Sequence, residues 1–325
     1  MRALALFSGG LDSILSMKIV IDQGIEVVAI HVNTGFGSLN DRLTYMQKMC
    51  DFIGAKLEVL DLKEKYLDEV LFEPQYGYGK NFNPCIDCHG FMFRHTAKLL
   101  EKYEASFMIS GEVLGQRPMS QNKDALGIVQ KLSLHDDLVV RPLSAKLLPI
   151  SKPEREGWID REKLLDIWGR SRAVQLGIAK EIGLEDFEPP AGGCLLTDVQ
   201  FSNRLKDFVA NDTLEIEDID TLKVGRQLRL PDGAKLIIGR NQEDNLKLEA
   251  TNSKKYLKAR IVDATGPLVL FEKNASEADK KMAADFIVSY GKTEAGKVYD
   301  VNFGEFIVQG EKLASKDIMQ KYLIV

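Results

Sequence analysis

Residues 3–13 read ALALFSGGLDS, an apolar run that leads into two glycines, an aspartate and a serine. A second apolar run, residues 14–21, follows directly. This order predicts a buried strand, a glycine turn and a helix, the arrangement in which a glycine-rich loop holds phosphate. Gly9 and Gly10 let the backbone approach an anion, and the first N–H groups of the helix lack intrahelical partners. We therefore predict a phosphate site; an ordinary turn with serine and aspartate caps is the alternative.

Two common phosphate loops do not match this stretch. No lysine follows the second glycine as in a Walker loop, and no third glycine completes a dinucleotide fingerprint. The SGGxDS pattern of residues 8–13 resembles the pyrophosphate loop (PP-loop) of enzymes that split ATP into AMP and pyrophosphate. The resemblance implies that Asp12 helps to hold ATP with Mg²⁺, and that Ser8 and Ser13 add hydroxyl donors.

Length and composition indicate a soluble protein with two domains. The chain has 325 residues, of which 28% are charged and 45% hydrophobic. Its apolar runs have the length of strands and fall short of the roughly 20 residues that cross a membrane, so we expect no membrane partner. The start of the chain shows no basic region or cleavage site, which predicts a cytoplasmic protein.

The first part of the chain alternates between strand and helix patterns. Further strands are predicted at residues 26–32, 56–60 and 106–110, and helices at 39–53, 91–103 and 160–182. This alternation predicts the α/β class, a parallel sheet with helices on both faces. Ligands bind beyond the carboxyl ends of such strands, so Ser8, Asn33 and Gly111 are expected to face one crevice. Asn33 and Gly111 would line the adenine and ribose side of ATP.

A change in composition near residue 200 predicts a domain boundary. Residues 1–198 would form the α/β domain and residues 199–325 a smaller α+β domain. Its predicted strands lie at residues 227–230, 235–238, 258–262 and 268–272, and its helices at 276–290 and 314–322. Residues 223–260 carry ten Lys and Arg against four Asp and Glu, which indicates either a nucleic-acid surface or a solvated face.

The cysteines admit four interpretations. Cys85 and Cys88 form a CxxC, and Cys194 comes much later, behind two glycines. Tetrahedral zinc needs a fourth ligand, for which His89 is badly placed next to Cys88, and Cys50 is expected in the core. A redox CxxC leaves Cys194 unexplained. The third interpretation is three unrelated cysteines, and the fourth is three thiolates that hold a [4Fe–4S] cluster with one iron open. The residues alone do not favour the cluster over zinc.

Several strings resemble the tRNA thiouridine synthases, a group of PP-loop proteins. Residues 110–121 resemble the G-E-x-L-G-Q…SQ segment of the 4-thiouridine synthases, and residues 141–143 their RPL. Asn83-Pro84 with Cys88, and residues 192–194, resemble segments of the 2-thiouridine synthases. The resemblance implies a sulfurtransferase that uses ATP to adenylate a uridine carbonyl in tRNA and replaces the oxygen with sulfur.

The resemblance also bears on the sulfur chemistry. In cluster-dependent members, three cysteines placed like Cys85, Cys88 and Cys194 hold a [4Fe–4S] cluster, which favours the cluster here and leaves zinc as the alternative. No cysteine follows Cys194, which favours cluster-borne sulfur over a carrier persulfide. A cysteine desulfurase or free sulfide would supply the sulfur. Arg141 and Lys146 are candidates to stabilise phosphate charge, or are simply surface cations.

The second domain carries its own resemblance. Residues 235–241, KLIIGRN, with Asn245 resemble the I-G-R-N…N signature in the RNA-binding module of ribosome-rescue (NFACT) factors. The resemblance implies phosphate contacts to tRNA from Lys235, Arg240, Asn241, Lys247, Lys254 and Lys255. Two alternatives remain, a PP-loop enzyme that acts on a small molecule and a non-catalytic RNA-binding factor.

Overall fold

A computed structural model of the protein describes residues 1–37, 42–187 and 194–325. The chain divides into two compact units, Met1–Leu195 and Leu196–Val325, and each is described by itself below. The boundary predicted from the sequence lies between residues 198 and 199. In the described part of the chain, no helix combines the length and the apolar character that crossing a membrane requires.

The first unit is built on a five-stranded sheet in the order β3-β2-β1-β4-β5. All four neighbouring pairs run parallel, which confirms the predicted α/β class. The strands are β1 Arg2–Leu6, β2 Glu26–Asn33, β3 Lys56–Asp61, β4 Phe107–Ser110 and β5 Val139–Val140. The helices are α1 Leu11–Ile21, α2 Leu43–Ile53, α3 Lys63–Tyr66, α4 Cys85–Ala97, α5 Lys123–Leu132, α6 Lys152–Arg155 and α7 Ala173–Glu181.

Helices cover both faces of this sheet. Ala3 and Ala5 of β1 lie in one core with Ile14 and Leu15 of α1, and α1 also packs against α2 and α7. Leu4, which lies between the two alanines, points to the opposite face because side chains alternate along a strand. On that side α4 packs against β1, β4 and α5. The apolar β1 is therefore buried on both faces, as a central parallel strand requires.

The strand order reverses between β1 and β4. The chain builds β1, β2 and β3 in one direction and then returns to place β4 on the free side of β1. Leu6, the last residue of β1, pairs with Ser110, the last residue of β4. The segments that follow these strands, at Ser8 and Gly111, therefore start side by side at the switch point where such sheets bind ligands.

Two helix predictions were wrong in extent. The helix expected at residues 91–103 runs instead from Cys85 to Ala97, so the CxxC is helical. Gly90 lies within this helix, where a Cβ would come within 2.5 Å of the Leu132 side chain. Its helical position is therefore a close contact between α4 and α5.

Most of the stretch predicted as a helix at residues 160–182 is not α-helical in the structure. Only Ala173–Glu181 is α-helical, with a 3₁₀ turn at Arg161–Lys163. Gly169 has φ +86°, which a continuous right-handed helix cannot contain. The helix predicted at residues 39–53 begins at Leu43, and residues 39–41 lie outside the described part.

The second unit contains a six-stranded sheet in the order β11-β10-β8-β9-β7-β6, and its neighbouring strands pair antiparallel wherever a register is defined. Its strands are β6 Arg226–Arg229, β7 Lys235–Ile238, β8 Tyr256–Ile261, β9 Val269–Glu272, β10 Val298–Asn302 and β11 Ile307–Glu311. Its helices are α8 Val199–Asn211, α9 Ile216–Leu222, α10 Gln242–Glu249, α11 Glu277–Tyr290 and α12 Asp317–Gln320. The smaller α+β architecture expected from the sequence is confirmed, although β10 and β11 were not predicted.

Candidate active site

The loop after β1 has the geometry of an anion cradle. Gly9 has φ +77°, a left-handed conformation that favours glycine, and Gly10 is the extended N-cap of α1. A Cβ on Gly9 would come within 3.1 Å of both Arg42 Nη2 and Met46 Cε. Glycine is therefore needed here for its backbone conformation and for the close approach of α2. The Arg42 guanidinium lies directly beside the loop.

The two serines of the loop are tied to its backbone. Ser13 Oγ donates to the Gly10 carbonyl oxygen at 2.7 Å. Ser8 Oγ accepts from Gly10 N at 3.4 Å and lies 3.5 Å from Ser13 Oγ. Both hydroxyls thus lie on the loop beside the start of α1, and their role as phosphate donors stays a prediction.

Asp12 has one oxygen in a network and one oxygen without a donor. Its Oδ2 accepts from Gln116 Nε2 at 2.6 Å and lies 3.4 Å from Arg172 Nη2. Its Oδ1 is buried and has no hydrogen-bond partner within the described ranges. A buried carboxylate oxygen is normally satisfied, and Mg²⁺ prefers such an oxygen as a ligand. Asp12 therefore fits the metal-binding role that its position in the PP-loop implies.

Gln175 stands behind this network. It is fully buried on α7, and its Nε2 donates to Gln116 Oε1 at 3.3 Å. Its own Oε1 has no partner in the part of the chain that is described. Two buried oxygen acceptors, one on Asp12 and one on Gln175, are thus linked through Gln116.

Residues 168–175 contribute Arg172 and Gln175 to this network, and the sequence did not predict their part in the site. Arg172 pairs with Asp12, and Trp168 has 70% of its surface exposed beside Gly115. Gly169 N donates to the Leu114 carbonyl oxygen at 2.8 Å and fastens this segment to the residues that follow β4. The only signal was an aromatic and two arginines near Gly169, inside a stretch that was interpreted as one long helix.

Gly111 lies against the backbone of the PP-loop helix. A Cβ at this position would come within 2.5 Å of Ser13 N and 2.7 Å of the Asp12 carbonyl oxygen. A side chain on Gly111 would therefore push the end of β4 away from the start of α1.

We expect Gly111→Ala to lower the free energy of unfolding by about 1–3 kcal/mol through overpacking, and to weaken nucleotide binding. Gly127→Ala is the matched control, because Gly127 lies within α5 and a Cβ there would meet no described atom within 4 Å. That control should be neutral or stabilising. Chemical denaturation of both variants measures the difference, and equal stability would contradict the close packing.

Asn33 lies at the carboxyl end of β2, as predicted, and shapes the turn that follows. Its Oδ1 accepts from Gly35 N at 3.0 Å, and its carbonyl oxygen accepts from Leu62 N at 3.0 Å. The side-chain oxygen thus fixes backbone at the edge of the sheet. A role toward adenine or ribose stays a prediction.

Behind the crevice, Glu112 is the centre of a buried ion network. Its Oε2 accepts from Arg141 Nε at 2.8 Å, and its Oε1 lies 2.7 Å from His89 Nδ1. Burial alone would raise the pKa of Glu112, but the Arg141 charge and the His89 hydrogen bond outweigh it and lower the pKa to about 2. Arg141 also donates to Gln130 and to the Leu126 carbonyl.

The candidate role of Arg141 toward phosphate was wrong, because Arg141 is buried and its guanidinium is already committed to these three partners. Lys146 lies at the surface, and its Nζ also has a partner, because it donates to the Glu162 carbonyl oxygen at 2.8 Å. The cations that the structure brings to the loop are instead Arg42 and Arg172.

We expect Glu112→Gln to reduce the free energy of unfolding by about 3–5 kcal/mol, because it leaves the buried Arg141 charge uncompensated. The pKa of Glu112 is lowered in the folded state. Its contribution to the free energy of unfolding should therefore be complete above about pH 4.5 and should disappear as the pH falls toward 2. The exposed Glu64→Gln is the control. Unfolding curves between pH 7 and pH 3 measure both effects, and a wild-type-like variant would refute the role of Glu112.

The cysteine segment begins the helix α4. Cys85 occupies the first turn, and Asn83 Nδ2 donates to its Sγ at 3.1 Å. Tyr66 is buried, and its ring lies 5.7 Å from the ring of Phe91 in α4. Burial raises the pKa of Cys88, and the charges of Cys194 and Cys85 raise it further. The Cys88 thiol is therefore protonated at neutral pH unless a metal takes the place of the proton.

Cys194 is brought to the same place. Leu195 N donates to the Phe36 carbonyl oxygen at 2.9 Å, and the Phe36 ring lies 5.8 Å from the Tyr66 ring. Burial raises the pKa of Tyr66, and the charges of Cys88, Cys194 and Cys85 add to this. The three thiols thus act electrostatically on one hydroxyl, although residues 192 and 193 lie outside the described part.

Cysteine thiols are chemically suitable metal ligands, but the described part of the structure does not group these three as a metal site. Within residues 1–37, 42–187 and 194–325, no three His, Cys, Asp or Glu side chains are grouped so that they could hold a metal ion. Thiolates are suitable ligands for an iron–sulfur cluster or for zinc, and a metal held by these three cysteines stays a prediction. Cys50 lies in the core, as expected, and burial raises the pKa of its thiol to about 12.

In the second unit, two of the lysines predicted to contact phosphate are paired with acids of the same fold. Lys235 is 1% exposed, and its Nζ lies 2.7 Å from Asp207 Oδ2. Lys255 Nζ lies 2.8 Å from Asp218 Oδ2, on a carboxylate that is fully buried. Neither lysine fits the predicted role, because each neutralises an acid inside the fold.

The I-G-R-N…N signature proves to be partly architectural. Asn241 caps α10 by accepting from Asp244 N, and Arg240 pairs with Asp244 at 2.6 Å. Asn245 Oδ1 accepts from Leu268 N, and a Cβ on Gly239 would come within 2.1 Å of that oxygen. Among the predicted contacts, Lys254 is exposed with no ion pair in the described residues, and Lys247 pairs with Glu243 on the surface.

Comparison with known proteins agrees with this geometry. Residues 1–147 match the family model described as thiamine biosynthesis protein (ThiI). They form a PP-loop domain of the ThiI family. Residues 225–323 match the model of the NFACT protein RNA binding domain. The ThiI-family domain therefore contains the loop, Gly111, the CxxC and Glu112, and the NFACT-type domain contains most of the second unit.

Relatives of the ThiI-family domain are tRNA-modifying proteins by name. A probable tRNA sulfurtransferase of Thermococcus kodakarensis is 27% identical over 181 residues, which are 55% of this chain and 43% of that protein. The tRNA-specific 2-thiouridylase MnmA of Sulfurimonas denitrificans is 32% identical over 35% of each chain. The structure of a 4-thiouridine synthetase–RNA complex with bound ATP aligns with TM-score 0.40 and 20% identity, over 56% of this chain and 41% of the other. The chain thus spans less than half of the relatives that it matches.

Proposed function

We propose that the protein is an ATP-dependent sulfurtransferase that thiolates a uridine of tRNA. The observation that supports this most is the unsatisfied Asp12 Oδ1 on a PP-loop at the switch point of a ThiI-family domain, beside the strand end that leads to Gly111. Cys85, Cys88 and Cys194, which lie in the same unit, would supply a place for sulfur. The names of the relatives agree with this reaction.

The first step is adenylation. Asp12 would hold Mg²⁺ on the phosphates, the serines and helix N–H groups of the loop would bind phosphate oxygens, and Arg42 and Arg172 would offset their charge. The uridine carbonyl oxygen bonds to the α-phosphorus as the α–β phosphate bond breaks and pyrophosphate leaves. The uridine has then gained AMP as a good leaving group. Asn33 and Gly111 would lie toward the nucleoside end of ATP.

The second step replaces oxygen by sulfur. Sulfide bonds to the activated ring carbon, and the carbon–oxygen bond breaks to release AMP. A [4Fe–4S] cluster bound by Cys85, Cys88 and Cys194 would supply an open iron that carries this sulfide. Because the pKa of Cys88 is raised, loading of the cluster or of zinc must release its proton and should weaken at low pH.

The second unit would bind the RNA. Its match to an RNA-binding family model supports this role, and the exposed cations near α10 include Arg240, Lys247, Lys254, Lys258 and Arg260. Lys235 and Lys255 would take no part, because Lys235 is itself buried in an ion pair with Asp207 and Lys255 neutralises the buried Asp218.

We expect Lys254→Glu to weaken tRNA binding several-fold and to reduce its salt dependence, because one phosphate contact is lost. Lys281→Glu, a charge reversal on α11 in the same unit, is the control for a general change in net charge. Filter binding at several salt concentrations compares the two. If both reversals have equal effects, the surface near α10 is not the RNA-binding surface.

The products of ATP turnover test the proposal as a whole. With α-labelled ATP, Mg²⁺, sulfide and unmodified tRNA, we expect AMP and pyrophosphate, with little turnover when the tRNA is omitted. ADP and phosphate would refute the PP-loop chemistry. Undiminished AMP formation without RNA would favour a small-molecule substrate instead.

A further inference from the structure

An aromatic loop lies next to the cysteine helix. Four aromatic residues occur within eleven positions, Phe72, Tyr76, Tyr78 and Phe82, and we call them the aromatic platform. Phe72, Tyr76 and Tyr78 are 42%, 40% and 39% exposed. So much exposed aromatic surface in one short loop is unfavourable in water unless a partner covers it.

The platform is held in place by its own hydrogen bonds. Tyr78 Oη donates to the Leu71 and Phe72 carbonyl oxygens at 2.7 and 3.1 Å. The Tyr78 and Phe82 rings lie 4.7 Å apart, inclined by 37°. The exposed rings are therefore presented on a defined backbone, so little conformational entropy is lost when a planar ligand stacks on them.

The CxxC helix holds the same loop. Asp87, which lies between the two cysteines, accepts from Gln75 N at 2.9 Å and from Tyr76 N at 3.0 Å. At the other end, a Cβ on Gly79 would come within 2.5 Å of the Asn83 side chain, which donates to Cys85 Sγ. The platform is thus fixed to the residues that carry the thiols.

We propose that the aromatic platform stacks unpaired bases of the tRNA beside the target uridine. This inference rests on the proposed function. A uridine must leave its stack before its carbonyl can reach ATP and sulfur, and the bases that it leaves need new partners. Aromatic side chains provide such stacking for single-stranded RNA.

Two cations near the platform are available for phosphate contacts, although Glu73 next to Phe72 is exposed as well. Lys80 is exposed within the loop. A Cβ on Gly79 would also come within 2.6 Å of Met119 Sδ. The segment that contains Met119 and the exposed Arg117 therefore lies next to the loop. Rings flanked by cations are typical of single-stranded RNA sites.

The test compares loop variants in the full-length protein. Phe72→Ala and Tyr76→Ala should each weaken binding of an unmodified tRNA transcript about tenfold, the effect of losing one stacked base. Tyr76→Phe should bind like wild type, because the ring remains. Phe52→Ala is the matched control, since Phe52 is a 47% exposed aromatic on α2. Binding is measured by fluorescence anisotropy, and thermal melting confirms that each variant is folded.

The outcomes separate this inference from the proposed function. If the wild type binds tRNA and both alanine variants bind it with the same affinity, the stacking role of the platform is overturned and the proposed function is not. A wild type that binds no tRNA would overturn both. Unchanged tRNA binding combined with lost sulfur delivery from a donor protein would also overturn the inference, in favour of a protein-docking surface. Weaker binding in the alanine variants only would support it.

Discussion

Asp12→Ala should lower ATP-dependent AMP formation by about a hundred- to a thousandfold, because it removes a charged ligand from the site where phosphate charge is stabilised. The structure makes this change informative, since one carboxylate oxygen is already bound by Gln116 while the buried Oδ1 has no partner in the described residues. Asp12→Asn should keep the contact to Gln116 and yet lose most of the activity. Product analysis with labelled ATP measures both variants.

The control for this experiment lies on the same helix. Asp22 follows the last turn of α1 and pairs with Lys18 at the surface, so Asp22→Ala should leave AMP formation unchanged. Circular dichroism and thermal melting should show that all three variants are folded. Retained AMP formation in Asp12→Ala would remove the ATP assignment altogether.

Cys194→Ser should abolish thiolation and iron loading while ATP binding persists. Cys194 acts with Cys85 and Cys88 on the Tyr66 hydroxyl, and a cluster that has lost one of three thiolates is not expected to survive purification. Iron and acid-labile sulfide per chain, measured after anaerobic purification with the visible spectrum, report the loss directly. For the wild type we expect about four irons and a broad absorption.

Cys50→Ala is the matched cysteine control. Cys50 is buried within α2, and burial raises the pKa of its thiol to about 12, so it is inert as a ligand. This variant should keep its iron and its thiolation activity with a modest loss of stability. One zinc and no iron in the wild type would contradict the cluster, and thiolation that persists in Cys194→Ser would contradict the role of the three cysteines.

The parts of the fold that the sequence predicted well are those with strong local patterns. The run of residues 3–7 is apolar because β1 is buried on both faces, and Gly9 must be glycine because of its left-handed backbone. Such features leave a signal within a few positions. The position of Gly111 at a strand end also followed from a local pattern, whereas its close contact with Asp12 and Ser13 was not predicted.

The features that the sequence did not predict depend on contacts between distant positions. Nothing near Gly90 shows that Leu132 fills the space beside it, and the start of α4 at Cys85 was not predicted. Nothing near Lys235 shows that Asp207 neutralises it in the interior. Arg172 meets Asp12 across 160 positions of the chain, and its segment contains no motif. Charge counts along the sequence therefore overestimated the basic surface of the second unit.

The most direct test of the central claim is nucleoside analysis of the RNA product. Unmodified tRNA is incubated anaerobically with the protein, ATP, Mg²⁺ and sulfide, then digested and analysed by mass spectrometry, while AMP is measured in the same reaction. The account predicts a thiouridine that requires ATP, forms together with AMP and is missing with Asp12→Ala. AMP formation without any thiouridine, or a thiouridine that forms without ATP, would contradict it.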